Sequence, residues 1–229
     1  MVVSAEPWAL QPRRALADEV YEGVLGLLMD HIIKPGEHAS IDGIAKQLGV
    51  SPTPVREALT RLESEGLVTK QPLRGYTASP LLDETGLRNL YEVRELIEPV
   101  AAGRAATAIS AEELERLAEL ARLMHASATA SNHGEERYQD YRDFAVFDAE
   151  FHQRVLTAAG NPLLVDAITR LHPHIHLYRL YYRFGVEEEE TSAEHDAVVS
   201  ALAAGDSSAA EAAMRAHLNA SFARMRGHV

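Results

Sequence analysis

Ile44-Ala45-Lys46-Gln47-Leu48-Gly49-Val50-Ser51-Pro52-Thr53-Pro54-Val55-Arg56-Glu57-Ala58-Leu59 is the stretch on which the fold turns. Ile41 to Leu48 has the pattern of a short amphipathic helix, and Gly49 supplies the left-handed residue that closes one. Ser51 suits an N-cap and Pro52 the first helical turn, where its missing N–H costs nothing. Two helices therefore meet at a tight turn. The second runs from Pro52 to about Ser64 and puts Val55, Leu59 and Leu62 on one face, leaving Thr53, Arg56, Thr60 and Arg61 on the other.

Upstream, Leu16, Val20, Val24, Leu27, Leu28 and Ile32 recur at helical spacing and predict a first helix over residues 15–33, stopped by Lys34-Pro35-Gly36. Residues 1–14 hold Pro7 and Pro12 without apolar periodicity and read as a flexible arm. Downstream, Leu67 to Gln71 and Tyr76 to Ala78 have strand character and flank Pro72-Leu73-Arg74-Gly75, which has the chemistry of a hairpin turn. The expected first domain, residues 15–78, is a helix-turn-helix with a β-hairpin wing. Residues 79–82 form the linker.

Everything from Asp83 onward reads as helix, with segments expected at 83–107, 110–127, 136–159, 162–184, 188–204 and 206–226 and interruptions at Ser131-Asn132-His133-Gly134, Gly160-Asn161-Pro162, Gly185 and Gly205. Ser110 and Glu113 have capping-box spacing, Asp206 suits an N-cap, and Pro99 is expected to kink the first of these helices or raise a bulge. The fold class is thus mainly α: a winged helix-turn-helix followed by an all-α antiparallel helical bundle over residues 83–229.

The net charge of −12 is unevenly shared. Residues 1–80 carry 8 Lys+Arg against 10 Asp+Glu, and residues 81–229 carry 14 against 24. The acidity belongs to the second part, so a cationic face on the first can still meet a phosphate backbone, repulsion being screened beyond about 10 Å. Cysteine is absent, which excludes disulfides, thiolate nucleophiles and Cys-type zinc sites. No apolar run approaches the roughly 20 residues of a membrane span, and no signal-peptide pattern opens the chain. A cytoplasmic protein without a membrane partner is expected.

A major groove about 12 Å wide accepts a helix that is apolar behind and polar in front. Arg56 can donate to guanine or phosphate, and Thr53 with the first amides of its helix can hold a phosphate oxygen. Thr60 and Arg61 extend that front. Arg74 at the hairpin tip can reach the backbone or minor groove, with Gly75 allowing close approach.

The stretch quoted first, together with Pro35-Gly36-Glu37, Arg61-Leu62-Glu63 and Glu65-Gly66-Leu67-Val68, resembles the GntR family of winged-helix regulators over roughly residues 15–80. The resemblance implies a homodimer on a palindromic double-stranded DNA operator, read by Ser51, Thr53, Arg56 and the wing around Arg74. Pro52 stands where many members carry Arg, so the operator sequence does not transfer.

In the second domain, Asp148 and His152 lie four apart on a helix and project from one face about a turn apart, a spacing suited to holding one ion. A helical salt bridge or cap gives the same spacing. His195 follows Glu194 in a later helix and His217 lies in the last. One Asp and three His suit a divalent transition metal such as zinc, nickel or manganese.

Tyr91-Glu92-Val93-Arg94-Glu95-Leu96-Ile97-Glu98-Pro99, Asp148-Ala149-Glu150-Phe151-His152, Ala159-Gly160-Asn161-Pro162, Glu194-His195 and Arg215-Ala216-His217-Leu218 are similar to the FCD effector domain of the FadR subfamily. The resemblance implies that Asp148, His152, His195 and His217 hold the metal, with coordination positions left for water or a small organic acid effector. Arg94 is the candidate partner of an effector carboxylate, its other reading being an ion pair with Glu95 or Glu98. Asn161, in a position that also suits a helix cap, is grouped with Arg94 as effector-binding. His172, His174 and His176 fall on different helix faces at a spacing of two and are expected at the surface or lining the pocket, not as ligands.

The combined expectation is a transcription regulator, repressor in sign, controlled by a small organic acid at or near a metal site, and not an enzyme. Two rivals remain: a metal-dependent hydrolase or lyase, for which no separate general base stands at a recognisable spacing, and a pure metal-ion sensor.

Overall fold

The structure, a computed structural model, describes residues 13–130, 138–181 and 188–227. The chain divides into two compact units, one holding the residues up to Leu28 and Ile32–Ser79, the other Met29–His31 and everything from Pro80. No helix among the described residues is long and apolar enough to cross a membrane. Of the flexible arm expected over residues 1–14, residues 1–12 lie outside the described residues, as do the interruptions expected at Ser131-Asn132-His133-Gly134 and Gly185.

The first unit runs α1 (Arg13–Met29), β1 (His38–Ala39), α2 (Ile41–Leu48), α3 (Pro52–Ser64), β2 (Val68–Gln71) and β3 (Gly75–Ala78). Ser40 opens α2 by accepting a hydrogen bond from the Gly43 amide, and Gly49 closes it at φ 68°. Val24, Leu28, Val55, Leu59, Leu62 and Leu67 are buried together as the core of this unit. Helix α1 ends at Met29, four residues short of the sequence reading, because His31 turns left-handed (φ 51°) and the Ile33 amide donates back to the Leu27 carbonyl. Leu16 and Ile32, assigned to its apolar face, are about half exposed. The three-stranded sheet has the order β1-β3-β2 and is antiparallel, with Ala39 opposite Tyr76 and Lys70 opposite Tyr76 on the other side. Strand β1 is two residues long, too short for any alternation to announce it.

The second unit is an all-α antiparallel bundle of α4 (Glu84–Ala106), α5 (Ala111–Ala130), α6 (Tyr138–Ala158), α7 (Pro162–Thr169), α8 (Pro173–Tyr181), α9 (Glu188–Ala203) and α10 (Ser207–Arg226). Asp83, Asn161 and Asp206 cap α4, α7 and α10 through their side chains. Helix α4 continues through the buried Pro99 and packs along α10, with Gly103 against Glu211 and Ser207, while Ala101 packs with Leu156, Ala159 and Ile168 of the neighbouring helices. Tyr91 on α4 and Ser221 on α10 share a buried hydrogen bond of 2.6 Å. Over its described residues, 162–181, the single helix expected over 162–184 is two. Pro173 lacks the N–H that continuation requires and disfavours helical geometry in His172, which sits at φ 44°.

Candidate functional site

Three helices bring the four groups together: α6 carries Asp148 and His152, α9 carries His195 and α10 carries His217. All four residues are buried, and each offers one ligand atom within 4.8 Å of the others. His152 Nε2 faces His217 Nε2 at 3.2 Å, and His195 Nε2 lies 3.1 Å from Asp148 Oδ1. The two outward nitrogens have carboxylate partners: His152 Nδ1 donates to Glu98 Oε2 at 2.7 Å, and His217 Nδ1 to Glu194 Oε2 at 2.9 Å. Phe151 packs edge-on against the His195 ring, centroids 4.7 Å apart.

Burial favours the neutral, ligating form of His152 and His217. It lowers His152, against the opposing pull of Glu98, and with the neighbouring His195 it pushes His217 down to about 3. For Asp148, burial acts to raise the carboxyl, but the surrounding imidazoles, led by His174, outweigh it and hold the group well below its ordinary value.

The donor set fits a divalent transition ion. Two ligand atoms each about 2.0–2.1 Å from an ion, at octahedral to tetrahedral angles, stand about 2.8–3.4 Å apart, and the facing pairs at 3.2 and 3.1 Å fall in that interval. Both ring nitrogens of His195 are buried without a hydrogen-bond partner, its approach to Asp148 being off the line such a bond needs. A buried polar atom left unpaired costs about 1–3 kcal/mol, and a cation at the convergence point would relieve it at Nε2. Nitrogen and carboxylate ligands without sulfur suit zinc, nickel or manganese and leave the choice among them open.

A cavity of about 10 Å³, room for about one water molecule, lies beside the cluster and is lined by Arg94, Phe144, Asp148, Tyr178, Thr191 and His217 among others. Arg94 is buried and meets Glu98 in a two-pronged pair, Nε to Oε1 at 2.6 Å and Nη2 to Oε2 at 3.3 Å. Here the ion-pair reading of Arg94 and its place on the cavity wall hold together. Asn161 is the N-cap of α7, accepting from the Leu163 amide at 3.1 Å, and is not among the cavity-lining residues. His174 Nδ1 lies 2.9 Å from Asp148 Oδ2, so one of the alternating histidines touches the cluster. The break before Pro173 turns α8 and aims its first turn at α6.

In the first unit an open groove runs along α3, lined by Thr53, Arg56, Glu57, Thr60, Arg61 and Ser64. Ser51 occupies the N-cap position of α3 but its side chain makes no capping bond. Arg56, Thr53 and Arg74 are exposed, and Gly75 at φ 80° begins the return strand of the wing. Thr60 donates to the Arg56 carbonyl and shares a 3.0 Å hydrogen bond with Tyr76 OH, tying the helix to the wing. Arg61 is turned toward α1: its guanidinium lies 3.7 Å over the Tyr21 ring, with Asp18 and Glu65 each at 3.4 Å. It braces α3 against α1 and is half exposed.

The family described as bacterial regulatory proteins, gntR family, matches residues 16–77, and the FCD domain matches residues 89–220. The chain belongs to the GntR family and carries an FCD domain. Among curated relatives, an uncharacterised HTH-type transcriptional regulator of Agrobacterium vitis is 36% identical over 86 residues, 38% of this chain and half of that one. The transcriptional repressor RspR of Escherichia coli K12 is 29% identical over 91% of this chain and 88% of its own length. A probable D-xylose utilization operon transcriptional repressor of Paenarthrobacter nicotinovorans is 32% identical over 77% and 74%. Among solved structures, E. coli McbR/YncC superposes with a TM-score of 0.72 at 21% identity, covering 93% of this chain and 97% of that one.

Within this GntR-family protein, Glu98, Glu194 and His174 are the residues near the FCD cluster that spacing did not single out as partners of it. The sequence pairs Glu98 with Arg94 and sets Glu194 beside His195, with no sign of a bond to His152 or His217. His174 shares no periodicity with Asp148, 26 positions away. Their roles depend on contacts between helices far apart in the chain.

Proposed function

We propose that this GntR-family transcription regulator reads its operator with Ser51, Thr53, Arg56, Thr60 and the wing at Arg74 and Gly75. Its FCD domain controls that affinity through a divalent transition metal held by Asp148, His152, His195 and His217. The observation that carries the sensing half is the convergence of those four buried ligand atoms within 4.8 Å. A bound ion would supply Lewis-acid positions suited to the carboxylate and hydroxyl oxygens of a small organic acid. Arg94, on the cavity wall, is placed to pair with such a carboxylate if its bond to Glu98 is shared.

The protein acts as a homodimer in the cytoplasm on a palindromic site, and effector binding shifts the balance between operator-competent and incompetent arrangements of its two winged helices. Relatives named as repressors support that sign. Arg61, engaged with Tyr21, Asp18 and Glu65, contributes mainly by holding α3 at its angle. Domain roles follow: residues 15–78 bind DNA and residues 83–229 bind metal and effector.

A second reading, in which the ion itself is the signal, is favoured by the cavity of about 10 Å³, which admits a water molecule but no organic acid without movement of its walls. Hydrolase or lyase chemistry is disfavoured by the burial of all four candidate ligands.

Fluorescence anisotropy on the protein's own promoter region tests the DNA half. Arg56→Ala is expected to weaken binding about tenfold or more and to flatten the salt dependence; unchanged affinity and slope would refute it. Repeating the titration with chelator and with a panel of carboxylic acids separates the two sensing readings: a response to chelator but to no acid selects the metal sensor.

A further inference from the structure

We propose that Glu98 and Glu194 are positioning residues of the metal centre, each fixing the tautomer of one histidine so that its Nε2 lone pair faces the convergence point. The inference rests on the metal reading above and adds to it the means by which two of the three imidazoles are prepared before any ion arrives.

The two arrangements are built alike from unrelated parts of the chain. Glu98, on α4, takes Arg94 on Oε1 at 2.6 Å and His152 Nδ1 on Oε2 at 2.7 Å. Glu194, on α9, takes Arg224 on Oε1 at 2.6 Å and His217 Nδ1 on Oε2 at 2.9 Å. In both, the arginine reaches the second oxygen as well, Arg94 Nη2 at 3.3 Å and Arg224 Nη2 at 2.8 Å. A carboxylate gripped by a planar guanidinium cannot rotate freely. It can only accept from the imidazole, so the proton must sit on Nδ1 and the lone pair on Nε2. The two Nε2 atoms so prepared face each other at 3.2 Å, an arrangement that repels until a cation or a proton lies between them. His195 has no such outer carboxylate and is held by packing against Phe151 and by its approach to Asp148 at 3.1 Å.

Glu194→Gln is the informative variant, because Glu194 is partly exposed whereas Glu98 is sealed with Arg94 and its loss would strand a buried charge. Metal affinity is read by competition between the full-length protein and a chromophoric chelator, using zinc and nickel separately. Two-bond nitrogen–proton spectra of the metal-free wild type report the tautomers. The expected results are Nδ1–H rings at His152 and His217 and an affinity for Glu194→Gln about 10–100-fold below wild type. The melting temperature of the metal-free variant should stay near that of wild type. Glu190→Gln, altering an exposed carboxylate 3.9 Å from Arg224, should bind metal as wild type does. Wild-type affinity in Glu194→Gln, or Nε2–H rings in the metal-free protein, would overturn the positioning role while leaving the metal site intact. Failure of the wild type itself to bind either ion would overturn the metal reading and this inference together.

Discussion

At the scale of single residues, His195 makes the sharpest forecast. It is fully buried and neither nitrogen has a hydrogen-bond partner, so in the metal-free protein it is a cost of about 1–3 kcal/mol, not a contribution. His195→Leu, close in volume and apolar, should bind no stoichiometric metal by elemental analysis. By calorimetry it should melt at or above the temperature of metal-free wild type. A marked loss of stability would mean that the ring has a partner in solution. Arg61 shows the opposite case. Spacing on α3 places it on the DNA front with Arg56, and the Tyr21 ring and two carboxylates draw its half-exposed arm toward α1 while it still lines the groove. Sequence position fixes which face a side chain starts from, and a five-atom arm lets nearby partners choose where it ends.

At the scale of elements, most helices were legible because apolar periodicity and caps are local. Gly49, Ser40, Asp83 and Asp206 each stand where a helix begins or ends. The exceptions have local causes with non-local outcomes. The split of residues 162–184 into α7 and α8 at Pro173 was written in the chain as a proline, but only the turned α8 places His174 against Asp148. Close approach of α4 and α10 is equally tertiary: a Cβ on Gly103 would lie 2.6 Å from Glu211 Cγ and 3.0 Å from Ser207 Oγ. Gly103→Val should therefore destabilise the FCD domain by about 1–3 kcal/mol in urea unfolding, as overpacking does. A neutral result would show that the Glu211 and Ser207 side chains turn aside without strain on the helices.

At the scale of the whole molecule, the acidic balance lies in the unit that carries the Asp/His cluster, and the winged helix-turn-helix unit is nearly neutral. Metal binding to the native cluster alone stabilises the fold by mass action, about 2.7 kcal/mol at a free concentration 100 times Kd. For a domain of this size that corresponds to a rise in melting temperature of roughly 5–10 °C. Calorimetry before and after exhaustive chelation should show that shift, reversed by adding the ion back, and no shift in the Asp148→Ala variant. An unchanged transition on chelation and reconstitution would remove the metal from the account of stability.

What the chain alone determined was the set of local units: the paired helices around Gly49, the hairpin at Arg74-Gly75, a helical second part, and one Asp–His pair spaced for a shared face. These follow from hydrogen bonding and apolar periodicity within a few residues. Which distant groups would meet was decided only by packing. His195 and His217 join Asp148 and His152, Glu98 and Glu194 brace two of the imidazoles, and Arg94 serves a carboxylate and a cavity wall at once. Those meetings depend on how four helices lie against one another, and no interval along the chain encodes that by itself.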